Sequence, residues 1–347
     1  MSQNPYMQQP PRAFWRSAIA ERAMHEIDAL WQPKFTLCRG DTLITAGSCF
    51  AQHISRALVA EGMHWLDAEP TPADLSAAEA QARNYGVFSF RTGNLYTAAM
   101  LRQWLEWALG KRPLPTELWQ EGERWFDPLR PAIEPDGFAS ADAVHAAREI
   151  TLQAIRTAVE EARCLVFTLG LTEAWVDRQQ ALVYPVCPGT VHGRFDADRH
   201  TFHNFRYDEI DTDLRAALAL LREANPLIRI LLTVSPVPLT ATASTAHVLV
   251  ANSHSKSVLR AVAGQLASEL AYVDYFPSYE LISSHPFKAA FYEPNLRQVT
   301  AEGVAFVMQQ FFAAIRPAAS PFSPPAKPLA ADDLVCEDSV LDYYSQA

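Results

Sequence analysis

The chain has 347 residues, 49% of them hydrophobic, and a formal net charge of −10 from 39 acidic and 29 basic side chains. That is ample apolar material for one large core. The acidic balance, with no clustered Lys and Arg, excludes a nucleic-acid groove and a polybasic stripe for anionic lipid.

Met1 to Arg12 is polar and proline-bearing and lacks a charged-then-apolar secretory pattern, so residues 1–11 read as a flexible tail and the protein as cytoplasmic. No run approaches the roughly 18 apolar residues of a membrane span. Phe14, Ile19, Ala23, Ile27 and Leu30 are spaced to predict a helix over Ala13 to Trp31. A strand at 42–46 and a helix at 49–62 follow. Residues 66–84 read as loop, Gly86 to Phe90 as a short strand, and Tyr96 to Leu109 as a helix with Leu101, Trp104, Leu105 and Ala108 on one face. Residues 111–140 are proline-rich, yet their Trp119, Trp125 and Phe126 suggest an insertion that packs.

A helix over Ala141 to Ala162 leads into Leu165-Val166-Phe167-Thr168, the continuous apolar run expected of a parallel strand buried on both faces. Pro185 to Asn204 reads as a long loop, a candidate lid carrying His192, His200 and His203. Asp208 to Ala224 is a helix stopped by Asn225-Pro226. Strands at Ile228 to Val234 and Ala271 to Tyr275 alternate with helices at Ala246 to Glu269 and Thr300 to Ile315. This alternation predicts an α/β fold with a parallel sheet covered on both faces. Residues 317–347, rich in Pro, Ala, Ser and acid, read as a disordered tail, in which Leu341-Asp342-Tyr343-Tyr344 is the stretch able to dock.

Five cysteines, Cys38, Cys49, Cys164, Cys187 and Cys336, are scattered with no Cys-x-x-Cys pair. Neither a disulfide framework nor a zinc site is expected, and no cofactor is called for. The chemistry concentrates at Ala46-Gly47-Ser48-Cys49-Phe50-Ala51-Gln52. A strand ends there, Gly47 permits a sharp turn, and the Ser48 hydroxyl arrives at a helix N-terminus, where free N–H groups favour a developing oxyanion. Ser48 is equally a good N-cap, and Cys49 at the same place is either a low-pKa thiol or a small buried hydrophobe. Ligands of doubly wound sheets bind at the carboxyl ends of strands. That rule adds the loops Gly170-Leu171-Thr172-Glu173 and Phe276 to Gln298.

Gly47-Ser48-Cys49-Phe50-Ala51 resembles the signature of the GSCFA family. Phe167 to Trp175, Thr233 to Leu239, Ser255-Lys256-Ser257, Tyr275 to Glu280 and Asn295-Leu296-Arg297 with Gly303-Val304 resemble its later blocks. The resemblance covers roughly residues 12–315, and the domain is set at 12–316. It implies the SGNH, or GDSL-like, hydrolase superfamily: a three-layer doubly wound parallel sheet of the flavodoxin-like kind with loop insertions. Esterases, lipases, carbohydrate deacetylases and O-acyltransferases share that superfamily.

Its enzymes resemble one another in a Ser, a Gly, an Asn and a late Asp-x-x-His. Ser48 fits the first as nucleophile. Gly93, followed by Asn94, stands in the second place as an oxyanion donor. Thr172 replaces the expected amide and Glu173 adds a carboxylate. Asn295-Leu296-Arg297-Gln298 falls where Asp-x-x-His is expected, so both acid and base are missing. His285, in the same loop, is then the best-placed base, with His53, His203 and Glu173 next. Arg297, with Arg206, Lys256 and Arg260, is a candidate for binding an anionic or polyhydroxylated group. The implied partner is a small-molecule or carbohydrate substrate, which Trp119, Trp125, Trp175 and Tyr184 suit by stacking. Two functions follow from the resemblance. One is a serine esterase or O-acyltransferase working through an acyl-enzyme on Ser48. The other is a non-catalytic binding module that has lost Asp-x-x-His.

Overall fold

The structure, a computed structural model, describes residues 4–315 and 335–345. Strand β1 (Leu43–Gly47) runs into helix α1 (Phe50–Ala60). Helices α2 (Ala77–Ala82) and α3 (Ala98–Ala108) follow, then a hairpin of β2 (Trp119–Glu121) and β3 (Arg124–Phe126). Helix α4 (Ala141–Glu161) precedes β4 (Cys164–Leu169). Strands β5 (Glu173–Asp177), β6 (Val183–Tyr184) and β7 (His200–Asn204) come next. The chain continues through α5 (Tyr207–Ala224), β8 (Arg229–Val234), α6 (Val248–Glu269), β9 (Val273–Phe276), α7 (Ser278–Ser283) and α8 (Ala301–Ile315).

Strands β1, β4, β8 and β9 form one parallel sheet in that order. The pleat sorts its side chains. Leu165, Phe167 and Leu169 of β4 join a core with α3, α4, α5 and α6, whereas Cys164 and Val166 join one with α1, α7 and α8. Both faces are therefore buried, which is why β4 and β8 read as unbroken apolar runs. Each fully buried Leu, Val or Phe contributes about 1.5–3 kcal/mol. The fold is α/β, with a parallel sheet between two layers of helices, as the alternating pattern predicts.

Several local expectations fail, each for a physical reason. Strand β1 lies at the margin of the four-stranded sheet. Beyond it there is no strand at Gly86 to Phe90. The Ser89 amide donates to Thr45 O and the Ser89 hydroxyl accepts from Thr45 N–H, so a side chain replaces part of a ladder. A parallel bridge between Leu43 and Trp65 adds the rest.

The predicted helix over Ala13 to Trp31 is absent too. A single π-turn, Arg16–Ala20, and short 3-10 turns give way to irregular chain that buries Ile27, Trp31, Phe35 and Leu37 against α8's side of the sheet. Trp31 Nε1 donates to Asp274, anchoring this strap on β9. Residues 4–11 are mostly exposed 3-10 turns.

The stretch Pro185 to Asn204 is only partly a loop. Its last residues form β7, which pairs antiparallel with β5, while β6 pairs on the other side. Within 66–84, α2 is capped by Ser76 and Glu79. The C-terminal reading needs a larger correction. Residues 317–334 lie outside the described residues, but Glu337–Ser345 forms 3-10 turns and Glu337 is buried in the body of the protein. Among the described residues, no helix is long and apolar enough to cross a membrane.

Candidate active site

Three loops meet at the carboxyl end of β1 and β4. At Gly47, φ is +126° and a Cβ would lie 2.3 Å from Thr168 O, so the strand can turn here only with glycine. The Ser48 amide donates to Thr168 O at 2.9 Å, and Ser48 O accepts from Ala51 N–H at 2.9 Å. Gly170 closes the other side. A Cβ there would sit 2.9 Å from Ser48 Cβ and 3.1 Å from Tyr96 O. The Gly170 and Leu171 amides donate to Tyr96 O, and the Leu95 amide donates to Gly47 O at 2.8 Å. The loops carrying Ser48, Asn94 and Gly170 are thus stitched into one unit.

Ser48 is 2% exposed and its hydroxyl has no hydrogen-bond partner among the described residues. It does not cap α1, whose N-cap is Cys49. A cavity of about 320 Å³ is lined by Tyr96, Leu171, Glu173 and Trp175, and Ser48 is not among its lining residues. Cys49 is buried and sits among the core residues, as its bland reading has it.

The oxyanion candidates divide. Asn94 is fully buried; its amide faces Glu337 Oε1 at 3.4 Å, and its side-chain NH₂ donates to Glu337 Oε2. Tyr96 OH donates to the same oxygen at 3.0 Å. Gly93, at φ +69°, leaves the room these contacts need, because a Cβ there would come 2.8 Å from Glu337 Oε1. Thr172 does not join them. Its hydroxyl donates to Asn204 Oδ1 at 2.7 Å and its amide to Ser255 Oγ at 3.0 Å, so both donors tie loops together. Glu173 opens β5, accepts from Thr242 Oγ1 at 2.8 Å and lines the cavity; burial pushes its carboxyl above the usual range.

No imidazole reaches Ser48 Oγ. His285 is exposed in a 3-10 turn, stacks on Trp15 at 5.3 Å and makes no hydrogen bond to Ser48 Oγ. His285→Ala is accordingly expected to change the unfolding free energy by less than about 0.5 kcal/mol, as for an ordinary surface site; a urea titration showing a loss of several kcal/mol would reveal a buried role. His203 pairs with Glu209 and His192 with Glu121. His53 is buried one and a half turns beyond Ser48, and neither ring nitrogen has a partner among the described residues. Burial first, and the Arg56 charge second, push its pKa down to about 3, so the ring is neutral. Asn295 and Gln298 bond to each other, Asn295 Nδ2 donating to Gln298 Oε1 at 3.0 Å. Between them, Arg297 reaches Cys336 Sγ at 4.0 Å and so touches the C-terminal segment.

Glu117, Asp177 and His200 offer ligand atoms within 4.8 Å of one another. The Arg199 guanidinium already bridges both carboxylates, and Tyr184 OH donates to Glu117. His200 Nδ1 accepts the Asp196 amide, which puts the ring proton on Nε2. The cation here is an arginine, and the donor set does not suit a metal. Of the aromatics offered for sugar stacking, Trp119 and Tyr184 are core residues, and Trp175 lines the cavity.

Sequence reasoning missed the roles of Glu337, Tyr96 and Gln52, and it offered Lys256 as a binder of an anionic or polyhydroxylated group rather than as a brace. Lys256 is 1% exposed and donates to Gly170 O at 2.6 Å, bracing the turn opposite Ser48. Its flanking Ser255 and Ser257 were the available signal.

The fold is α/β, and its serine sits on a glycine-walled strand-to-helix turn at the carboxyl ends of β1 and β4. The model of the GSCFA family matches residues 42–311, well over half of the chain, and the chain belongs to that family. Neither the curated proteins nor the solved structures gave a match.

Proposed function

We propose that the chain is an SGNH-type fold that holds a small ester- or carboxyl-bearing molecule beside Ser48 and turns it over slowly or not at all. The observation that carries this reading is a serine in a nucleophile's position whose hydroxyl has no hydrogen-bond partner among the described residues. A general base must come within about 2.6–3.2 Å of the proton it takes, and its loss costs about 10²–10⁴ in rate. Asn295 and Gln298 cannot accept a proton near neutral pH. His53, with a pKa of about 3, is too weak a base at that pH even were it to turn toward Ser48. The five unpaired cysteines suit a reducing, cytoplasmic setting.

One observation favours a second reading, a serine esterase or O-acyltransferase. Buried hydroxyls are nearly always bonded, yet Ser48 Oγ is kept free at a turn built only for it. In that case Ser48 Oγ attacks an ester carbonyl, loses its proton to a base, and the alcohol leaves; water or a sugar hydroxyl then takes the acyl group. A fluorophosphonate probe separates the two. The expected result is no adduct on Ser48 by mass spectrometry, either in the wild type or in Glu337→Ala. An adduct that Ser48→Ala abolishes would establish the esterase reading in its place.

A further inference from the structure

The segment after residue 334 is held like a ligand. The Val335 amide donates to Gln52 Oε1 at 3.0 Å, and Gln52 Nε2 returns a bond to Val335 O at 2.6 Å. Asn94 Nδ2 also donates to Val335 O, at 3.1 Å. Two residues on, the Glu337 side chain enters the cradle and takes the Asn94 amide, the Asn94 NH₂ and the Tyr96 hydroxyl on its two oxygens. Leu341 and Tyr344 then line the cavity that Tyr96, Glu173 and Trp175 form.

Around Glu337 the donors belong to the body of the protein and the acceptor is the segment's carboxylate. Three buried donors converging from one loop match an acceptor-only group with two oxygens, which is a carboxylate, or the two oxygens of an ester. A hydrogen bond to a charged acceptor contributes about 1.5–3 kcal/mol. Gly93 is part of the fit, since any Cβ would strike the Glu337 oxygen. The same loop is bonded to Gly47 through Leu95, which ties the cradle to the Ser48 turn.

We infer that Gly93, Asn94 and Tyr96 form a carboxyl-binding site, that Glu337 of the chain's own C-terminal segment is its resident occupant, and that a carboxyl- or acyl-bearing ligand enters only by displacing that segment. The inference rests on the reading of this cradle as the ligand site, and it adds the ligand's recognised group and the means by which access is controlled. Burial raises the Glu337 carboxyl above its usual range, against the hydrogen bonds from Asn94 and Tyr96, which lower it. Tethering also explains why a modest set of contacts suffices: an attached ligand acts at an effective concentration of about millimolar.

The test uses the full-length chain and hydrogen exchange followed by mass spectrometry. In the wild type, amides of 335–345 and of 93–96 should be protected. Glu337→Ala should speed exchange at both by tenfold or more, and Tyr96→Phe, which removes one donor, by less. A synthetic peptide of residues 335–345 added to Glu337→Ala should restore protection at 93–96, whereas the same peptide with Ala at position 337 should not. The wild type should ignore either peptide, because its own copy is already seated. Unchanged exchange in Glu337→Ala, or equal protection by both peptides, would overturn the inference. Ser48 labelling is a separate readout: an adduct on Ser48 alters the proposed function and leaves the exchange result standing.

Discussion

Asp127→Asn is expected to destabilise the protein by about 3–5 kcal/mol, the usual cost of breaking a buried ion pair from one side. Asp127 is fully buried between two fully buried arginines. Its Oδ2 takes Arg130 Nε at 2.9 Å and its Oδ1 takes Arg148 Nη2 at 2.7 Å, with the Leu129 amide at 3.1 Å as a further donor. Burial alone would raise this carboxyl; Arg148 and Arg130 outweigh it and hold it below the usual range. Asparagine keeps the shape but leaves two guanidinium groups facing each other with no anion between them. The damage reaches the proposed carboxyl site, because Arg130 Nη1 donates to Arg91 O, just before Gly93 and Asn94. Urea unfolding with a normal slope and a midpoint shift worth less than about 1 kcal/mol would show that the pair can be replaced freely. The sign with pH follows from the depressed pKa: this contribution is full above the ordinary carboxylate range and is lost as pH falls through the lowered value.

The parts that the sequence disclosed are those where one physical signal dominates. Helices α4 and α5 carry a strong apolar period with Ser140 or Asn225-Pro226 as punctuation, and both appear within a residue or two of their expected ends. The Ser48 turn was legible because only glycine fits at position 47. The N-terminal helix was misread because Phe14 to Leu30 has helical spacing by chance. Its apolar residues serve an extended strap, in which Trp31 answers to Asp274, 243 positions away. Strand β7, His-Thr-Phe-His-Asn, has too few apolar residues to show alternation, and only pairing with β5 makes it a strand. Glu337 was invisible for the same kind of reason. Composition marks its neighbourhood as acidic and proline-rich, while what orders it is a contact with Asn94 across 243 positions. Local pattern cannot report a ligand that the chain supplies to itself.

The imidazole nearest Ser48 in sequence is that of His53, and it makes a sharp prediction about acid stability. Its pKa falls from 6.5 to about 3 in the folded protein, because burial opposes the charged ring and Arg56 adds to that. Between those values the unfolded chain holds a proton that the folded chain does not. Stability is therefore intact above about pH 6.5 and declines as pH drops, by about 1.4 kcal/mol per unit, reaching about 4–5 kcal/mol near pH 3. His53→Leu removes this share. Neither ring nitrogen has a partner among the described residues, so the substitution leaves no donor or acceptor stranded and is expected to be neutral or stabilising at pH 7. Urea titrations at pH 7 and pH 4.5 give the check. The variant's advantage over wild type should grow by about 3 kcal/mol between them. Stability curves that stay parallel would mean that the ring is charged or solvated in the folded state. A base for Ser48 would then have to be reconsidered, since a His53 able to titrate near neutrality could take the serine's proton.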